Sequence, residues 1–313
     1  MTRVAVICGG VGAARLLNGL IRVTDPAGVT AIANVGDDVV LHGLHISPDL
    51  DTITYTTAGA VSGERGWGLE GETWQAMTEL GHYGGDGNRN WFSLGDRDLG
   101  THLYRTSRLA EGAPLSSVTA EIAARWGLRF DLVPVTNDRL RTFVTTVDEG
   151  EIAFQEYFVR RQHAVAVTAV RFEGAEAATP APGVLDAIAT AERIVIAPSN
   201  PVVSIDPVLA VPGVRDALAA RRADVVAVSP IIGGKALKGP ADRLMTELGR
   251  EASVVGVADW YRDLIGTLVV DEVDADAGPE VEALGMTCVA MPTIMASVEV
   301  TDALARACLA GGR

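Results

Sequence analysis

Short β-branched runs recur along this chain, each closed by a glycine or polar turn and followed by a longer segment with helical spacing. The runs are Arg3–Cys8, Val29–Asn34, Arg193–Ala197, Asp224–Ser229, Ser253–Val257, Thr267–Val270 and Thr287–Ala290. A parallel strand pair needs a crossover that a helix supplies, and a run without polar alternation belongs to a strand covered on both faces. The pattern therefore predicts an α/β fold: a Rossmann-like core with a mostly parallel sheet.

The middle of the chain departs from that pattern. Helical stretches near Glu72–Leu80, Asp98–Leu109 and Ser117–Trp126 are followed by adjacent strand-like runs at Arg141–Val147, Ile152–Val159 and Ala164–Phe172. Neighbouring strands without intervening helices predict an antiparallel patch, and the Ala/Pro/Gly tract Glu173–Gly183 reads as a return linker. The expected organisation is a core of residues 1–60 and 183–313, interrupted by a smaller inserted α+β region of residues 61–182.

Composition narrows the function classes. At 313 residues with 48% hydrophobic types, the chain can bury a core without staples, and its three cysteines, Cys8, Cys288 and Cys308, offer neither a disulfide framework nor a thiolate zinc site. A net charge of −14 excludes nucleic acid and anionic membranes as main partners, since both demand clustered Lys and Arg. The apolar run before Gly9 is far shorter than the ~20 residues that span a bilayer. A cytoplasmic protein is expected.

In an open parallel sheet, ligands sit beyond the carboxyl ends of the strands. After the first strand comes Gly9-Gly10-Val11-Gly12-Ala13-Ala14-Arg15, where glycines let a phosphate approach backbone N–H groups at a helix start. It holds only the first half of a dinucleotide fingerprint, with Arg15 at the third glycine, and a ligand-free tight turn is the other reading. The second strand ends at Asn34-Val35-Gly36-Asp37-Asp38, and Ile46-Ser47-Pro48-Asp49-Leu50-Asp51-Thr52 opens a helix. Asp37, Asp38, Asp49 and Asp51 repel one another unless a cation or solvent intervenes, and hard oxygen ligands of this kind suit Mg²⁺. Helix-start carboxylates and a solvated turn are the plainer alternative.

Two later strands lead into Pro198-Ser199-Asn200-Pro201 and Pro230-Ile231-Ile232-Gly233-Gly234-Lys235. A Walker pattern fails at Ser229 and Ala236, leaving Lys235 and Lys238 as point charges for phosphate, or as a solvated pair. In the insert, Trp91-Phe92-Ser93-Leu94-Gly95-Asp96-Arg97-Asp98 reads either as a helix cap with its ion pair or as an orienting group for a heterocycle, walled by Trp67, Trp74 or Trp91. His42 and His45 lack a third zinc ligand, and there is no nucleophile elbow.

Taken together, Gly9–Gly12 with Arg15, Asn34–Asp38, Ser47–Thr52, Leu94–Asp98, Ala197–Pro201 and Val228–Gly233 resemble, in order, the 2-phospho-L-lactate transferase family of deazaflavin coenzyme (F-420) biosynthesis. The likeness runs collinearly from the N-terminus to about Leu248. It implies a Rossmann-like core with an insert that shares in the deazaflavin pocket and the dimer interface, a homodimer, and Mg²⁺ dependence. It also implies the reaction: a guanosine-diphospho-activated three-carbon acid is joined to 7,8-didemethyl-8-hydroxy-5-deazariboflavin, releasing GMP. Asp37 and Asp51 fall at the family's metal-binding aspartates, with Asp38 or Asp49 to take the proton. Gly10, Gly12, Arg15, Asn34, Thr52, Ser199, Asn200 and Lys235 would serve nucleotide and phosphates, and Asp96 with Arg97 the deazaflavin. Bacterial members sharing Gly233-Gly234-Lys235 use an enolpyruvyl donor.

Two other readings compete. One is a nucleotide-sugar-binding regulator resembling the gluconeogenesis-factor family, which has no evident use for Ser47–Thr52 or Leu94–Asp98. The other is an NAD(P)-dependent dehydrogenase, which needs an acid at the second strand's end, where Asn34 and Gly36 stand. Anionic ligands in an acidic protein require a local reversal of field, so a positive cleft is expected around Arg15, Lys235, the helix start and a bound cation.

Overall fold

The computed structural model describes residues 2–83 and 90–311. Its first half runs β1 Val4–Cys8, α1 Gly10–Val23, β2 Val29–Ala33, a hairpin of β3 Val39–Leu41 and β4 Leu44–Ile46, then α2 Pro48–Thr57, α3 Gln75–His82, α4 Asp96–Ala110, α5 Leu115–Arg125 and β5 Asp131–Pro134. An antiparallel group β6 Arg141–Thr146, β7 Gly150–Ala153 and β8 Val167–Glu173 follows. The chain then alternates through α6 Val184–Thr190, β9 Arg193–Ile196, α7 Asp206–Leu209, α8 Val214–Ala220, β10 Val225–Val228, the hairpin β11 Ile231–Ile232 and β12 Lys235–Ala236, and α9 Ala241–Glu247. It closes with α10 Val254–Trp260, β13 Thr267–Val270, α11 Gly278–Ala283, β14 Thr287–Ala290 and α12 Val298–Ala310.

Seven strands form one sheet in the order β14-β13-β10-β9-β1-β2-β5, every pair parallel. Every residue of β1, β9, β10 and β13 is buried, which is why these strands read as unbroken apolar runs. The expected α/β class is the observed one. Strand order reverses at β1 and β9, so the crevice where such sheets take ligands opens beside Gly9 and Pro198.

Residues 61–182 leave the core after α2, supply α3, α4 and α5, and return once to the main sheet through β5, a strand that the apolar-run pattern does not reveal. β6, β7 and β8 form the expected antiparallel patch. A small separate apolar cluster of Leu41, Ile46, Met77 and Leu94 seats the insert on the β3–β4 hairpin. Two expectations are corrected. Ser253–Val257 is not a strand: the Ser253 hydroxyl accepts from the Gly256 N–H at 3.0 Å and caps α10, so a cap signal outranks the β-branched run. The strand over Ile152–Val159 ends at Ala153, and the chain coils into a π-helical turn over Glu156–Arg160. Among the described residues, no helix is long and apolar enough to cross a membrane.

Helix α1 buries Ala13, Ala14, Leu16, Leu17 and Leu20 against the sheet and crosses α12 at Gly19. A Cβ at Gly19 would lie 2.7 Å from the Thr301 carbonyl oxygen and 3.1 Å from the Ala305 Cβ. Alanine gains about 1 kcal/mol of helix propensity, whereas overpacking costs about 1–3 kcal/mol, and backbone cannot yield as a side-chain tip can. Gly19→Ala is therefore expected to lower the thermal midpoint by roughly 2–5 °C in a calorimetric scan. An unchanged or higher midpoint would show that α12 slides freely on α1.

Candidate active site

A cavity of about 780 Å³ opens at the carboxyl ends of β1 and β9. Its floor is the turn into α1. Gly10 adopts φ +73°, and a Cβ on Gly12 would run into the Pro198 carbonyl oxygen, so glycine is required at both places. The Ser199 hydroxyl donates to the Gly9 carbonyl at 2.7 Å and accepts from the Gly9 N–H at 3.3 Å, tying the two strand ends together. No side chain of the preceding residue caps α1, and Arg15 lines the cavity one turn further on.

Four aspartates share this space, Asp98 among them. Asp37, Asp49 and Asp51 line it, each at most 7% exposed. Burial, then the neighbouring Asp49 charge, pushes the Asp37 carboxyl well above the usual range, and its Oδ1 is buried without a hydrogen-bond partner. Asp38 sits behind the lining and accepts from the Ser47 hydroxyl at 2.6 Å; burial dominates and raises it to about 8. Asp49 is raised to about 6 by burial, offset by bonds from the Asn34 amide at 2.9 Å and the Gly10 N–H. Carboxylates held in this way exchange a proton for a cation readily.

Asp51 is held differently. Arg105, 1% exposed, grips both of its oxygens, through Nη1 at 3.1 Å and through Nη2. The guanidinium also lies 3.3 Å from His102 Nδ1. A guanidinium only donates, so Nδ1 accepts and the His102 proton is assigned to Nε2, which faces Asp98 Oδ2 at 3.3 Å. Tyr55 donates to Asp98 at 2.6 Å. Asp51, Asp98 and His102 bring ligand atoms within 4.8 Å of one another, a spacing that can hold a metal ion. The reading of the sequence missed His102 and Arg105. Their signal was the spacing Asp98, His102, Arg105 at i, i+4 and i+7, one polar stripe on α4 that ends up buried.

Of the remaining expected residues, Gly10, Gly12, Thr52, Ser199 and Asn200 line the cavity, whereas Asn34 stands one contact behind it. Lys235 is outside the lining and Lys238, in the same loop, is in it. Asp96 is turned away from the cavity: it accepts from the N–H groups of Gln75 at 2.9 Å and Ala76 at 3.0 Å, and from the Thr73 hydroxyl, capping α3. Arg97 donates to the Glu70 carbonyl and borders a second depression of about 390 Å³ on the far side of α4, with Tyr104, Arg125 and Trp126. The aromatic wall is Trp67, Phe92, Phe154 and Phe158, the last two stacked at 5.5 Å; Trp74 packs behind Trp67, and Trp91 against Phe92.

The chain resembles known proteins over nearly its whole length. A family model described as 2-phospho-L-lactate transferase CofD matches residues 4–285. Relatives named phosphoenolpyruvate transferase include that of Streptomyces griseus subsp. griseus, 46% identical over 98% of this chain and 97% of its own. Those of Kitasatospora aureofaciens and Mycolicibacterium smegmatis are 46% and 40% identical, covering 98% and 97% of this chain and 97% of each relative. A crystal structure of a UPF0052 family member from Bacillus halodurans covers 98% of both chains with a TM-score of 0.62 at 17% identity, a likeness of fold.

Two outcomes follow from this geometry. Arg105→Ala strands a buried carboxylate and is expected to cost roughly 3–5 kcal/mol in urea unfolding, against at most about 1 kcal/mol for Arg108→Ala, whose partners Glu111 and Glu121 are solvated. Equal costs would mean that Asp51 is solvated. In metal-free protein, Asp38 keeps its proton to about pH 8 when folded and loses it near pH 4 when unfolded. The folded state then binds more protons across that window, so this contribution to stability falls as pH rises. Asp38→Asn should flatten the decline of the thermal midpoint between about pH 5 and 8; parallel curves would show that Asp38 carries no such proton.

Proposed function

The chain belongs to the 2-phospho-L-lactate transferase family of coenzyme F-420 biosynthesis, and from that premise we propose that it transfers a phosphoenolpyruvyl group from a guanosine-diphospho-activated donor to 7,8-didemethyl-8-hydroxy-5-deazariboflavin, releasing GMP. The observation that carries the reading is one cavity that combines a glycine turn with Arg15, a buried carboxylate cluster and an aromatic wall. The enolpyruvyl donor is preferred because the relatives at 40–46% identity bear that name; the family description favours the lactyl donor as second choice. The regulator and dehydrogenase readings are set aside, since a transferase family spans residues 4–285.

The residues divide the work by chemistry. Gly10 and Gly12 admit the donor phosphates to the start of α1, and Arg15 and Lys238, which have no ion-pair partner among the described residues, supply positive charge on the lining. Phe154, Phe158, Phe92 and Trp67 offer planar apolar surface to the deazaflavin. Asp37 and Asp51 fit a hard divalent cation: both line the cavity, and Asp37 Oδ1 is a buried acceptor without a donor. Mg²⁺ held there would neutralise charge on the phosphates during displacement. In the transfer, the terminal ribityl oxygen of the acceptor forms a bond to the phosphorus beside the three-carbon acid, and the bond to the GMP oxygen breaks. Asp49 receives the hydroxyl proton in preference to Asp38, because it reaches the cavity and sits near pKa 6, whereas Asp38 is behind Ser47. The working unit is a cytoplasmic homodimer.

Purified protein supplied with both substrates and Mg²⁺ should release GMP, and chelation should stop it. With saturating Mg²⁺, Asp51→Asn is expected to lower turnover by at least roughly a hundredfold; undiminished turnover would remove Asp51 from the metal site. The deazaflavin alone should change its absorption or fluorescence on binding, and absence of binding in the micromolar range would exclude it as acceptor.

A further inference from the structure

The turn Gly36-Asp37-Asp38 carries the least satisfied carboxylate of the cavity, yet its backbone is fixed from four directions. Two bonds come from the core: Asn34 Oδ1 accepts from the Gly36 N–H at 2.7 Å, and the Asp38 N–H donates to the Val35 carbonyl at 3.1 Å. Two come from the insert. The Thr142 N–H donates to the Gly36 carbonyl at 2.7 Å, and Gln155 Nε2 donates to the Asp37 carbonyl at 3.2 Å.

Gln155 is the one side chain among these insert contacts. It is 7% exposed, lines the cavity, and lies where β7 gives way to the helical turn, between Phe154 and Phe158 of the aromatic wall. A buried primary amide is retained only where its donors and acceptor are used, because leaving one unmade costs more than a made bond returns. Here the donor is spent on main chain, so Asp37 is oriented through its carbonyl while Oδ1 is left free.

We propose that Gln155 is a positioning residue for the divalent cation: by holding the Asp37 carbonyl it aims the carboxylate, and the insert thereby braces, from outside, a ligand that belongs to the core. The inference rests on the cation reading above and adds a residue outside the six segments that carry the family likeness. Groups that hold a metal ligand without touching the metal typically change its affinity 10–100-fold when lost.

The test uses Mg²⁺ alone, titrated by calorimetry and by the rise of the thermal midpoint, in wild type, Gln155→Leu and Gln155→Glu. Leucine keeps the volume and removes the donor; an ionised glutamate also cannot donate to a carbonyl. Both variants should weaken Mg²⁺ binding roughly tenfold or more. Thr136→Val serves as the structural control, because it breaks a bond to the Thr179 carbonyl at 2.6 Å within the insert, and Thr136 is not a partner in any of the four bonds to the turn. It should lower the midpoint and leave Mg²⁺ affinity unchanged. Unchanged Mg²⁺ affinity in both Gln155 variants, or an equal loss in Thr136→Val, overturns the positioning role. A wild-type protein that binds no Mg²⁺ in the millimolar range removes the cation itself, and this proposal with it, whereas wild-type binding with silent variants sinks Gln155 alone.

Discussion

The pairing of Asp51 with Arg105 is the constraint on which the rest of the site depends. Asp51 stands on α2 of the core and Arg105 on α4 of the insert, and both are almost wholly withdrawn from water. Two desolvated charges hold a structure together only when geometry is good and the remaining donors and acceptors are used. Arg105 meets that condition in part, spending Nη1 and Nη2 on the carboxylate and presenting a hydrogen to His102, while its Nε is buried without a hydrogen-bond partner. The insert is therefore docked by a polar lock in addition to its apolar contacts: Leu115, Leu132, Val144 and Phe154 join the main core, and a second cluster of four buried residues lies at the β3–β4 hairpin.

Charge is organised on a second scale. The chain carries a net −14, and the cavity concentrates rather than dilutes that excess, with Asp37, Asp49, Asp51 and Asp98 all on its lining. Arg15 and Lys238 stand at the same lining without an acidic partner among the described residues, so both signs of charge face one cavity. Such a lining suits a ligand that is anionic at one end and brings a cation with it at the other.

Much of this was legible in the sequence, and the reasons differ by element. The strands of the main sheet announce themselves because both faces are covered, and the glycine turn because Gly10 and Gly12 occupy positions that no side chain fits. Ser253–Val257 misled because a buried helix and a buried strand share the same residue types, and only the Ser253 cap distinguishes them. Asp37, Asp49 and Asp51 could be gathered from local spacing. Arg105, His102 and Gln155 could not, since they meet those aspartates across sequence separations of 51 or more, which only the docking of the insert closes. Arg97 and Asp96 show the converse: a conspicuous local motif whose side chains turn to capping and to the far face of α4.

The loop that follows β11 has one more consequence. Of the chain's 26 basic residues only two are lysines, Lys235 on β12, outside the cavity lining, and Lys238 three residues on, within it. One of the protein's two side-chain primary amines is thus on the lining of its site, and the other is three residues away in sequence. Acylating reagents, amine-directed cross-linkers and a lysine-specific protease therefore act on only two side chains, and Lys238, measured against Lys235 as an internal reference, reads the state of the cavity against a background that arginine leaves silent.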